Sequence, residues 1–351
     1  MPATFRCNLC STENILPGNG FARDESSCTF CHSSVRMRGM LYALSMSLFG
    51  APLRLPDFPT LKSIRSLGMS DDEQYAGQLA SKFDYRNTYF DRAPFFDVAQ
   101  PVEEQIGEYD FILCADVLEH VTPPMEAALG NILNLLKPHG FLLLTTPYSI
   151  EPDSLEHFPN LHEYSVITLG GRPVLVNRTS EGRLEAHDNL VFHGGQGSTL
   201  ELRELNETTL LQRLSEAGFA HTRIVADRYE PFGIVHAESW SLPVIAARQE
   251  FVLPRQAVAE LAAALQTCQT NLHNESAERQ HLEQLITQLT THTAKVEADF
   301  EERSAWALAL QADVDRLQAE NTRLATKENP LWERLLQALL ARAKPAPRTS
   351  G

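Results

Sequence analysis

The segment from Asp110 to Pro147 constrains the fold of this chain more than any other. Two apolar runs of β type, Phe111 to Ala115 and Phe141 to Thr145, flank a helix-type stretch from Pro124 to Leu136. Runs that are apolar at every position suit strands buried on both faces, as in a parallel sheet covered by helices. The segment therefore reads as a βαβ unit, with chemistry expected where its strands finish. Those ends carry Asp116-Val117-Leu118-Glu119-His120 and Thr145-Thr146-Pro147.

The rest of a sheet can be read around this unit. Ser63-Ile-Arg-Ser-Leu-Gly-Met-Ser-Asp71 reads as a first strand and turn. Asp72 to Lys82 reads as the following helix, with Asp71 and Asp72 placed to cap it. Tyr85 to Phe90 is a second strand ending at Asp91, and Phe95 and Phe96 make a short third ending at Asp97. Residues 148–205 are rich in His, Gly and Asn and hold alternating stretches such as Val174 to Arg178, so they read as an inserted cap of loops and hairpins. A helix from Glu207 to Ala217, stopped by Gly218, and strands near His221 to Ala226 and Ser241 to Ala246 complete the pattern.

At 351 residues the chain holds one large α/β domain plus accessories. A net charge of −15 argues against broad nucleic-acid binding through phosphates. Neither a signal peptide nor an apolar run of the roughly 18 residues needed to span a membrane is visible, so the expected compartment is the cytoplasm, where thiols stay reduced. Four of the six cysteines form two close pairs, Cys7/Cys10 and Cys28/Cys31. In that compartment this spacing reads as a structural zinc ribbon over residues 1–35, with a redox-active pair as the alternative. His32 is a possible substitute ligand, and Arg23, Arg36 and Arg38 lie where they could balance thiolate charge or bind an anion. Residues 36–62 read as a helical linker, with Met40, Leu41, Leu44 and Leu48 at helical spacing and Pro52, Pro56 and Pro59 after them. Cys114, inside an apolar strand, reads as packing.

A different architecture begins near Pro254. With Val258 at heptad position a and Leu261 at d, one register runs to Leu324, and fifteen of its twenty seam positions are apolar. Residues 255–328 are expected to form a coiled coil, and Asn321 at position a favours a parallel dimer in fixed register. Pro330 is expected to end the seam. Residues 330–344 then make an amphipathic helix with Leu331, Trp332, Leu335, Leu336, Leu339 and Leu340 on one face, which suits either an interfacial membrane anchor or packing against a dimer mate. Residues 345–351 read as a disordered tail.

The runs Asp110-Phe-Ile-Leu-Cys-Ala-Asp-Val-Leu-Glu-His-Val121 and Leu136-Lys-Pro-His-Gly-Phe-Leu-Leu-Leu-Thr-Thr-Pro147 resemble the fourth strand, fourth helix and fifth strand of class I S-adenosylmethionine-dependent methyltransferases, with His139 standing where Gly is usual. The resemblance implies a Rossmann-like doubly wound α/β sheet over residues 63–248. It implies cofactor contacts from Gly68, Met69, Ser70 and Asp71 after the first strand, where only Gly68 stands for the usual Gly-rich turn. Asp71 would meet the cofactor's ammonium or cap the helix. Asp91 would hold the ribose hydroxyls, Asp97 the adenine amino group, and Asp116 and Val117 would complete the site. Asp91 and Asp97 can each also be read as a solvated strand end. Glu119 and His120 are the first candidates for a base or orienting group, His120 having helix capping as its alternative. His193, before Gly194-Gly195, is the candidate acceptor-side base. His157 and His162 mimic a metal pair, but Pro159 prevents the one-face helix such a site would use.

Over residues 1–248 the chain is similar to bacterial class I methyltransferases with an N-terminal zinc ribbon, which are associated with glycan biosynthesis. O-methylation of a sugar or surface-glycan precursor is the implied activity. The coiled coil and terminal helix resemble the architecture of chain-terminating O-antigen methyltransferases, which implies peripheral contact at the inner membrane face. An inactive methyltransferase-like scaffold, or a protein or RNA methyltransferase, are the alternatives.

Overall fold

The computed structural model describes residues 3–100, 105–193 and 199–342. The expected tail at 345–351, residues 343 and 344 of the expected terminal helix, and Gly194-Gly195 lie outside these. Two units are distinguished, Met1–Thr267 and Cys268–Gly351.

In chain order the elements are β1 (Thr4–Arg6), β2 (Glu13–Ile15), α1 (Val35–Phe49), β3 (Leu61–Met69), α2 (Glu73–Lys82), β4 (Phe83–Thr88), β5 (Tyr109–Ala115), α3 (Met125–Leu135) and β6 (Leu136–Thr145). The cap supplies β7 (Tyr148–Ser149), β8 (Leu155–Glu156), β9 (Glu163–Leu169), β10 (Arg172–Arg178), β11 (Leu184–His187), β12 (Phe192–His193), β13 (Thr199–Leu200) and β14 (Arg203–Asn206). They are followed by α4 (Glu207–Glu216), β15 (His221–Ile224), β16 (Val244–Ala247) and α5 (Arg255–Arg342).

The main sheet has the order β15-β16-β6-β5-β3-β4. Strands β4, β3, β5 and β6 run parallel, and β16 and β15 close the other edge antiparallel. Successive residues of β5 and β6 enter different cores. Phe111, Leu113, Phe141 and Leu143 join α1 and α2 on one face, while Ile112, Cys114, Leu142 and Leu144 join α3 and α4 on the other. That two-sided burial is what the unbroken apolar runs encode. The strand order reverses at β3 and β5, since β4 is added on one side of β3, and β5 and β6 on the other, which opens a crevice at their carboxyl ends.

Three expectations need correction here. Phe95 makes only an isolated bridge to Tyr89, so the third strand is absent as a strand among the described residues. Pro94 offers no N–H to a ladder, and Phe95 is exposed rather than packed. Residues 36–62 are not a linker: Met40, Leu41 and Leu44 of α1 are fully buried in the core. Ser34 caps this helix by accepting from the Met37 N–H at 3.3 Å, and Gly50 ends it in the left-handed region at φ 64°. Finally, α5 continues through Pro330 to Arg342. A proline removes one helical hydrogen bond, and the helix-forming residues around it sustain the rest.

The described residues between 148 and 205 form short sheets and hairpins, with a small core of Phe158, Leu175 and Leu202. The first turns of α5 belong to the globular unit. Ala257 is buried there, and the Glu260 carboxylate accepts from the Ser63 hydroxyl at 2.9 Å. Leu261, assigned to the seam, packs partly buried against the core instead.

Candidate active site

The four cysteines converge. One ligand atom from each of Cys7, Cys10, Cys28 and Cys31 lies within 4.8 Å of the others, with Cys7 to Cys31 at 3.7 Å and Cys10 to Cys28 at 3.5 Å. A tetrahedral zinc with bonds of about 2.3 Å needs sulfurs about 3.8 Å apart, so this donor set fits the metal. His32 is not among the clustered ligands. Of the neighbouring arginines, Arg38 interacts by charge with all four cysteines, Cys7, Cys28, Cys31 and Cys10. Arg38 is buried against the Phe5 and Phe21 rings and donates to Ser27, the Ser33 carbonyl and the Gly233 carbonyl.

Arg23 and Arg36 reach across to the sheet. Arg23 Nη2 donates to Asp116 Oδ1 at 2.5 Å, and Arg36 Nε lies 3.2 Å from Asp116 Oδ2. Asp116 follows β5 with φ 54°, a left-handed conformation, and its Oδ1 also accepts from the Thr145 hydroxyl at 2.9 Å. Burial pushes its carboxyl up, but Arg36 and Arg23 more than offset this and hold it below the usual range. The N-terminal module is thereby tied to the carboxyl edge of the sheet.

Above that edge lies a cleft of about 1220 Å³. Of the expected cofactor residues, Met69, Ser70, Asp91, Asp97, Asp116 and Val117 line it. Gly68 and Asp71 are not among its lining residues. The left-handed residue of the turn is Ser70, at φ 59°. A Cβ on Gly68 would collide with the Tyr85 hydroxyl and the Asp71 carboxylate, so this glycine serves packing under the cleft. Asp72, not Asp71, caps α2 by accepting from the Gln74 N–H at 2.8 Å.

Asp71 is buried beneath the turn, where Tyr75 donates to its Oδ1 at 2.8 Å and Tyr85 donates to Oδ2. Burial raises its pKa to about 7, against the hydrogen bonds of Tyr85 and Tyr75. An unfolded aspartate titrates near 3.9, so between about pH 4 and 7 the folded state holds a proton that the unfolded state has lost. Stability from this group is therefore present at low pH and declines as pH rises to about 7. The wild type should lose on the order of 4 kcal/mol relative to Asp71→Asn across that window. Urea denaturation of both proteins at pH 4.5 and 7.5 measures the difference, and parallel pH profiles would contradict it.

The expected catalytic residues come together. His120 and His193 line the cleft with ring centroids 4.8 Å apart, and Glu119 lies beneath them, 1% exposed. Glu119 Oε2 accepts from the Thr146 hydroxyl at 3.0 Å. Burial, then the Asp116 charge, raises the Glu119 pKa to about 8, so this group does not begin as a strong carboxylate base. Burial lowers the pKa of His120, which favours its neutral form. Its Nδ1 lies 2.8 Å from the Leu200 carbonyl, an acceptor, so this nitrogen carries the proton and Nε2 keeps its lone pair. His193 Nε2 and His157 Nε2 share the carboxylate of Glu201, at 2.6 and 2.9 Å. The sequence reading missed Glu201, and the Arg23 and Arg36 contacts to Asp116. Each joins residues far apart in the chain, and no local pattern marks them.

The profile of a family described as a methyltransferase domain matches residues 65–188. Residues 65–188 are thus similar to a methyltransferase domain. With the observed sheet order and strand-end cleft, the fold is that of a class I S-adenosylmethionine-dependent methyltransferase. No curated protein matches the chain. Solved structures that resemble it include DesVI of Streptomyces venezuelae, 14% identical, covering 60% of this chain and 92% of that one at a TM-score of 0.32. The sugar N-methyltransferase KedS8 of a Streptoalloteichus species is 14% identical, covering 53% and 81% at 0.31. The CMeT domain of the citrinin polyketide synthase is 15% identical, with 53% of this chain and 47% of that one covered at 0.30. The chain thus spans about half the length of that last structure.

Proposed function

We propose that this enzyme transfers a methyl group from S-adenosylmethionine to a hydroxyl of a sugar or surface-glycan precursor. The observation that carries the reading is the single cleft that unites the strand-end residues Ser70, Asp91, Asp97 and Val117 with His120 and His193. The Asp91 carboxylate would accept from the ribose diol, Asp97 would take the adenine amino group, and the turn at Ser70 would meet the amino-acid end. S-adenosylmethionine supplies a methyl group activated by its sulfonium. The cap residues Tyr164, Thr199 and Leu200 would enclose the acceptor. His120 and His193 would take the acceptor's hydroxyl and its proton, with Glu119 beneath them as an orienting group.

In this reading zinc fills the cysteine cluster, α5 pairs two chains, and the Leu335, Leu336, Leu339 and Leu340 face contacts a membrane surface from the cytoplasmic side. These four leucines are exposed, and no helix among the described residues is long and apolar enough to cross a membrane. Calorimetry of folded, zinc-loaded protein should show S-adenosylmethionine binding, weakened tenfold or more by Asp91→Ala through loss of charge-assisted hydrogen bonds. A wild type that releases no binding heat would support the scaffold reading instead. An unchanged affinity in the variant would remove Asp91 from the ribose.

A further inference from the structure

We propose that Arg23, carried by the cysteine module, receives the α-carboxylate of S-adenosylmethionine, and that the Asp24 carboxylate holds that place until the cofactor displaces it. The inference rests on the cofactor reading proposed above and adds the residue that fixes the amino-acid end. Arg23 and Asp24 both line the cleft, although they lie between β2 and α1 rather than in the sheet. A cofactor with its nucleoside at Asp91 and Asp97 beyond β4, and its turn contact at Ser70 after β3, extends its amino-acid end towards the next strand, β5. Arg23 stands there, bonded to Asp116 at the end of β5. The other arginine lining the cleft, Arg92, adjoins Asp91 and lies over the Tyr89 ring at 3.9 Å, on the nucleoside side.

The site is already shaped for a carboxylate, because one occupies it. Asp24 Oδ2 accepts from Arg23 Nη1 at 2.6 Å and Asp24 Oδ1 from Arg36 Nε at 2.7 Å, so its two oxygens bridge the two guanidiniums. Asp116 holds the same pair from the sheet side and is itself fixed by the Thr145 hydroxyl. Arg23 Nε donates to the Ser241 carbonyl at 3.4 Å and the side chain is 15% exposed, so the guanidinium is held in place before any ligand arrives. Asp24 differs, with its side chain 56% exposed. An ion pair to so exposed a group adds little stability, so Asp24 can leave at little cost. Two arginines and two aspartates are neutral together. A third carboxylate added to them would meet repulsion, whereas one exchanged for Asp24 keeps the balance and takes over its charge-assisted hydrogen bonds.

The test is calorimetry of the full, zinc-loaded chain with S-adenosylmethionine and with decarboxylated S-adenosylmethionine, which keeps the sulfonium and the ammonium and lacks the carboxylate. The wild type should bind the first about tenfold or more tightly than the second. Arg23→Gln, with zinc content and thermal unfolding checked against the wild type, should bring the two affinities within about threefold of each other. Asp24→Ala keeps both arginines and should tighten S-adenosylmethionine about two- to fivefold, with no gain for the decarboxylated ligand. The sign is diagnostic. Both ligands carry net positive charge, so the loss of a nearby carboxylate acting through its field alone would weaken both. Equal wild-type affinities, a preference retained in folded Arg23→Gln, or Asp24→Ala binding S-adenosylmethionine no better than the wild type would each overturn the proposal. Should Arg23→Gln fail to fold, the Asp24→Ala comparison decides alone. In all these outcomes S-adenosylmethionine still binds, and the cofactor reading stands. A folded wild type that binds neither ligand ends that reading and this inference with it.

Discussion

Cys28→Ser should cost the protein its zinc, the order of its N-terminal module and most of its S-adenosylmethionine affinity together. Cys28 is buried at the centre of the four-sulfur cluster, and the strands beside it, β1 and β2, are only three residues each. So short a hairpin cannot hold itself, whereas structural zinc supplies about 10–16 kcal/mol of apparent binding energy to small domains. The loss would spread because Arg23 and Arg36, ordered by this module, neutralise Asp116 at the end of β5. Removing the partners of a buried charge costs about 3–5 kcal/mol and would disturb the cleft wall that Asp116 forms. Zinc analysis, thermal unfolding and cofactor calorimetry on the variant, and on wild type treated with a chelator, measure the three effects. Arg36→Ala separates them, since it should keep zinc and still weaken the cofactor. A zinc-free protein that binds S-adenosylmethionine like the wild type would refute the coupling.

The parts of this architecture that could be read from the chain are those where local pattern and burial say the same thing. Strands β5 and β6 are apolar at successive positions because both faces are covered, and the residues at their ends line the cleft. Where a pattern has two physical causes, the sequence alone does not choose between them. Gly68 has the form of a cofactor-turn glycine, yet its small size is required by Tyr85 and Asp71 beneath it. The Phe95-Phe96 pair has strand composition, yet Pro94 and the exposure of Phe95 leave it one bridge. The spacing of Met40, Leu41 and Leu44 fits a linker helix and a core helix equally, and only the packing against β6 shows it to be core. The Arg23–Asp116 pair spans 93 residues, and Glu201 joins His193 to His157 from a separate segment of the cap. Such contacts are products of the assembled fold and leave no periodic trace.

Replacing Ile286 and Leu289 together by Asp should convert a two-chain particle into single chains. In α5 the seam residues Leu282, Ile286, Leu289, Val296 and Phe300 are each more than half exposed. A single helix this long, with apolar residues along one stripe, gains little stability in water until that stripe is covered. A second copy covers it best, because the same register then meets itself, and each fully buried Leu or Ile contributes roughly 1.5–3 kcal/mol. Two charges at adjoining a and d positions would bury four carboxylates in the dimer, which the seam cannot neutralise. Light scattering should give the wild type about twice the chain mass of 39.2 kDa and the double variant about that mass, with helical circular dichroism lost from α5. A wild type already at the single-chain mass would defeat the pairing. Asn321 sharpens the test. In a paired seam a polar residue at position a would set register and strand number at a cost in stability, so Asn321→Leu should raise the melting temperature while broadening the particle to mixed oligomers. Leu261, held by the globular core, marks where such pairing must begin, beyond the first turns of α5.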